Sequence, residues 1–66
     1  HLTWTGVVVD NSGPAVVLSL PREQILVRAG HELFGGKTRI GQAFALRLGK
    51  IDPLNNEIHV LEAWEQ

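Results

Sequence analysis

The stretch GQAFALRLGKID, residues 41–52, decides the fold class. Phe44, Leu46 and Leu48 alternate with Ala45 and Arg47. Side chains of a strand point to opposite faces in turn, so the three large apolar residues share one face and Arg47 takes the solvent face. A strand is expected over residues 42–51. After it, Asp52-Pro-Leu-Asn-Asn56 is hairpin chemistry, and residues 57–64 form a last strand with Ile58 and Val60 facing in.

The same grammar extends upstream. Residues 3–9 are rich in Thr, Trp and Val, which are good strand formers. Asp10-Asn-Ser-Gly-Pro14 is a turn: Gly13 accepts positive φ, and Pro14 cannot donate to a ladder. Ala15–Leu20 makes a second strand, Pro21-Arg-Glu23 a turn, and residues 24–29 a third strand. Residues 30–40 hold three glycines without clean periodicity and read as a loop, with one short helical turn at His31–Phe34. No amphipathic helix and no repeat is visible. Five short strands predict an all-β domain, and a barrel is favoured over a sandwich because closure removes exposed edges.

Size and composition narrow the function classes. Sixty-six residues is at most one domain. Such a chain buries only roughly 60% of the surface that it exposes when unfolded, so a deep catalytic pocket has little room. An enzyme in its own right is not expected. The chain opens on His1 and is expected to be excerpted from a longer protein. It has no cysteine, which excludes disulfides and thiolate metal sites. No apolar run approaches the roughly 20 residues that span a bilayer, so no membrane partner is expected. His1, His31 and His59 have neither ligand spacing nor an acidic companion cluster, so neither a metal nor any other cofactor is expected. No catalytic constellation is recognisable, and Glu62 and Glu65 read as a solvated end. Gly35-Gly-Lys37-Thr38 lacks the first glycine of a phosphate loop, since His31 stands there, and no helix follows it.

The net charge is −1, but it is unevenly spread. Residues 22–50 carry all six basic groups against Glu23 and Glu32, whereas residues 51–66 carry four acids and no base. Two readings stand: scatter over a solvated surface, or a basic patch on the middle strands that attracts phosphate.

Residues 41–60 resemble the fourth strand and following hairpin of S1-type RNA-binding domains, which are small five-stranded OB-type barrels. Gly41, Phe44, Leu46, Arg47, Leu48, Ile51 and Asp52 match that family's pattern without a gap, and Ile58 and Val60 follow where it expects them. The first half fits more loosely, through Thr5-Gly6-Val-Val8, Ser12-Gly13-Pro-Ala15-Val16-Val-Leu18 and Ile25-Leu-Val27-Arg28. Within the family, Ile51-Asp-Pro-Leu-Asn-Asn-Glu-Ile58 looks most like the carboxy-terminal domain of ribonuclease II/R-type 3'-5' exoribonucleases. The resemblance implies an accessory, non-catalytic module that binds single-stranded RNA beside adjacent domains of a parent chain, in the cytoplasm or the plastid stroma.

One departure bears on function. Ser12 and Ala15 stand where the family stacks bases on aromatic rings, and each such platform is worth about 1–3 kcal/mol. The RNA-binding candidates are therefore cations: Arg28, Arg47 and Lys50 on strands, and Lys37 and Arg39 on the Gly-rich loop, where backbone N–H groups are expected to add to a phosphate grip. Arg28 also offers a flat guanidinium as a substitute stacking plane. Trp4 and Trp64 either seal the barrel near the ends of the first and last strands or present an exposed surface, and Phe34 is placed as a plug at the barrel end. Rival readings are the same barrel used as a structural brace, a TOBE-like oxyanion-binding barrel, and an Sm-like reading of residues 49–63.

Overall fold

A computed structural model describes residues 3–52, 54 and 57–66, apart from the side chains of Ile51, Asp52 and Glu57. Five strands, β1 (Trp4–Asp10), β2 (Ala15–Leu20), β3 (Ile25–Gly30), β4 (Ala43–Asp52) and β5 (Glu57–Glu65), form one antiparallel sheet in the order β3-β2-β1-β4-β5. The sheet curls strongly into a half-barrel, which brings its two edge strands, β3 and β5, into contact. Among the described residues no backbone ladder joins those edges. The chain is thus all-β and five-stranded, with the barrel character expected from its short alternating segments. A 3-10 turn at His31–Phe34 is the one helical element among the described residues, and none is long and apolar enough to cross a membrane.

Strand bounds follow the residue pattern to within one position. The ladder of β1 with β4 starts a residue later than periodicity suggests, because Gly41 and Gln42 are used in a turn. Gly41 takes φ 88°, its N–H donates to Val8 O at 2.8 Å, and Gln42 N–H donates to Arg39 O at 3.0 Å. The hairpin expected at residues 52–56 lies largely outside the described residues.

The core lines the concave face. Val16, Leu18 and Leu20 of β2 are fully buried and alternate with the half-buried Ala15, Val17 and Ser19. Val8, Val27, Ala29, Phe44 and Leu46 complete the buried set. Phe34 packs edge-on against Phe44 with ring centroids 4.8 Å apart, so the 3-10 turn closes one end of the barrel as its aromatic residue suggested. The two tryptophans part company. Trp4 pairs with Leu46 and packs half-buried on the core, whereas Trp64 pairs with Ala45, one residue out of phase, and stands 44% exposed on the outer face. Because β1 and β5 both flank β4, they cannot meet to seal the barrel with a tryptophan pair.

A bulge at Val9 re-aims the end of β1: Val8 pairs with Leu18, but Asp10 pairs with Val17. Asp10 is thereby free to organise the turn. Its Oδ1 accepts from Ser12 N–H at 3.0 Å and from the Ser12 hydroxyl at 2.8 Å. The Ser12 backbone N–H, then its hydroxyl, holds the Asp10 carboxyl below its ordinary value of 3.8. A depressed folded-state pKa contributes stability above the unfolded value that is lost as the pH falls through the folded one. Asp10→Asn is therefore expected to lower the urea midpoint at neutral pH, with the gap to wild type closing below pH 3.8. A gap that stays constant down to about pH 2 would show that this carboxylate makes no pH-linked contribution.

Candidate nucleic-acid interface

Strand parity decides where each candidate cation points. Val27 and Ala29 are buried, so Arg28 between them stands on the outer face of β3, exposed and without an ion pair among the described residues. Leu26 shares that face and is 57% exposed. Arg47 also faces outward, but its ladder partner is Glu62: Nε and Nη2 both lie 2.6 Å from Glu62 Oε1, with the side chains 40% and 46% exposed. Its charge is locally matched. Lys50 is exposed on the second half of β4.

Lys37 and Arg39 are exposed on either side of Thr38, in the loop before β4. Asn11 Nδ2 donates to Thr38 O at 2.7 Å and to Thr38 Oγ1 at 3.2 Å, pinning that loop to the β1–β2 turn. His31 Nε2 meets Gly13 O at 2.8 Å and ties the 3-10 turn to the same place. The backbone N–H of Arg39 already donates to Gln42 Oε1 at 3.0 Å, so it is spent within the loop and does not serve a phosphate.

The cations therefore divide. Arg28, Lys37 and Arg39 lie toward the end of the barrel that carries the 3-10 turn and the β1–β2 turn. Arg47 and Lys50 lie on β4, the ladder neighbour of β5, so the curl that brings β5 against β3 leaves one strand between them and β3. Among these cations Arg47 is set apart by its pairing with Glu62. The two positions where aromatic platforms were sought also separate: Ser12 is consumed in capping Asp10, and Ala15 is half-buried at the start of β2.

What residue reasoning missed is the seam between β3 and β5. A groove of about 350 Å³ opens there. It is lined by Val27, Arg28, Glu32 and Leu33 from one side and by Ile58, His59 and Val60 from the other. His59 lies between the half-buried Ile58 and Val60 and is itself exposed, as period-2 alternation requires. The sequence signal for its outward direction was present. Its position opposite Arg28 follows only from the curl of the sheet.

The fold and site together define a small, curled, five-stranded β-barrel module with an open, part-cationic seam. Comparison of the chain with protein-family models, curated proteins and solved structures yields no match.

Proposed function

We propose that this domain is an accessory module that holds single-stranded RNA at the β3–β5 seam, within a larger protein of the ribonuclease II/R exoribonuclease type suggested by residues 41–60. The observation that carries this reading is that Arg28 on β3 and His59 on β5 line one groove. Both have flat, delocalised groups on which bases stack, and both are compatible with a nearby phosphate. They supply the platforms that Ser12 and Ala15 lack. Lys37 and Arg39, toward the same end of the barrel, extend the path of the backbone by charge. In this reading the domain grips the strand and leaves the chemistry to other parts of the parent protein.

The test is fluorescence anisotropy of a labelled oligo(A) RNA at low and moderate salt. Arg28→Ala is expected to weaken binding roughly tenfold and to reduce its salt dependence. Arg47→Ala is expected to change it less than about twofold, since its charge is already matched by Glu62 across an exposed pair. Equal losses for the two variants would remove the seam from the interface.

A second reading has one observation in its favour. The outer face of β1 and β2 presents Val7, Val9, Ala15 and Val17, with Asp10, the ladder partner of Val17, as its one charge among the described residues. Such a face suits an adjacent domain better than a phosphate backbone. A wild-type domain that binds no RNA at low salt is a structural brace, and this face is where it docks.

A further inference from the structure

Glu32 is the one acid lining the groove among the described residues, and its carboxylate lies over Gly30. The backbone at Gly30 is extended, with φ −62° and ψ 147°, so any residue could adopt it. What glycine supplies there is room: the Glu32 carboxylate folds back over the place that a Cβ on Gly30 would take. Gly30 has the same parity as Leu26 and Arg28, so this carboxylate occupies the next outer-face position after Arg28 along β3. Among the described residues no donor is bonded to it, and it forms no ion pair with Arg28 although both line the groove.

A carboxylate beside a proposed RNA path repels phosphate. It accepts N–H and donates nothing. A strand held by Arg28 will therefore meet Glu32 with a base edge and not with its backbone. The four bases differ in what they offer there. Guanine presents two adjacent donors, N1–H and the N2 amine, which match the two oxygens of one carboxylate. Adenine and cytosine present a single amine beside a ring-nitrogen acceptor. Uracil presents N3–H between two carbonyl oxygens, which repel the approaching carboxylate.

We infer that Glu32, whose carboxylate lies over Gly30, makes the β3–β5 groove prefer guanine to uracil. This inference rests on the RNA-binding reading above. Its test compares a labelled octamer of uridines with the same octamer carrying one central guanosine, or one central inosine, which keeps N1–H and lacks the N2 amine. Wild type is expected to bind the guanosine octamer at least about fivefold more tightly than the uridine octamer, with inosine between them. Glu32→Gln is expected to abolish the preference, bringing the guanosine and uridine octamers to equal affinity. Gly30→Ala, which displaces only the mobile end of the Glu32 side chain, is expected to reduce the preference without unfolding the domain, as checked by circular dichroism.

If wild type binds all three octamers equally, or if Glu32→Gln keeps the preference, the guanine inference fails and the RNA-binding reading stands. If wild type binds none of them, both fail together.

Discussion

Leu18→Ala is expected to leave a large fraction of the molecules unfolded at room temperature. Leu18 is fully buried at the centre of β2, with Val8 of β1 and Val27 of β3 as its ladder partners, so it touches both halves of the concave face. Removing a buried leucine side chain costs about 2–5 kcal/mol, through lost transfer energy and the cavity left behind. A single core in a domain of this size rarely supplies more than about 3–5 kcal/mol in total. The two quantities are comparable, so one substitution consumes most of the margin. Urea titration followed by far-UV circular dichroism measures the loss directly. Leu18→Met serves as the control, since a volume-conserving swap costs less than about 1.5 kcal/mol. A loss below about 1 kcal/mol for the alanine variant would mean that the concave face collapses onto the gap, and that the curl of the sheet is softer than described here.

Gly6→Val is expected to destabilise the domain by at least about 2 kcal/mol, against the direction that strand preference alone suggests. Valine is a good strand former and glycine a poor one, so residue preference would have the substitution strengthen β1. The packing says otherwise. Gly6 is buried on the concave face, and a Cβ added there would lie 2.8 Å from Leu46 Cδ1 and 3.4 Å from Leu18 Cβ. Leu46 is fully buried and has no empty rotamer to swing into. Valine brings two further carbons into the same space. The glycine lets β1 pack closely against Leu18 and Leu46, and so allows the sheet to curl. A Gly6→Val variant whose urea midpoint equals or exceeds that of wild type would show that Leu46 and Leu18 can part, and would undo this account of the curl.

The proposed RNA contact depends on the same curvature. In a flat sheet of this order β3 and β5 would be opposite edges, four strand spacings apart, or about 19 Å. Curling brings their edges together and sets Arg28 and His59 in the lining of one groove. Variants that relax the core should therefore weaken RNA binding even where they touch no surface residue. The stability and binding measurements are best read side by side.

Much of this protein is local and hence legible in its residues. Alternation with period 2 depends only on the backbone, so the strands, the inward set Phe44, Leu46, Ile58 and Val60, and the outward direction of Arg28 and Arg47 follow from order alone. Turn residues act within four positions, so the breaks at Asp10–Pro14 and at Pro21–Glu23 are visible too, as is the short turn at His31–Phe34; Gln24, read as strand, belongs to the second of these turns. What pairs across strands is another matter. Residue order does not reveal that Glu62 lies opposite Arg47 and takes its charge, that Trp64 falls out of phase with Trp4, or that Gln42 claims the N–H of Arg39. Register across a sheet is set by bulges and turns acting together, and a shift of one residue reverses every face. The seam is the furthest from the sequence: Arg28 and His59 stand 31 positions apart, with no ladder between their strands among the described residues, and share a groove only because five strands curl over a core that leaves Gly6 no room for a side chain.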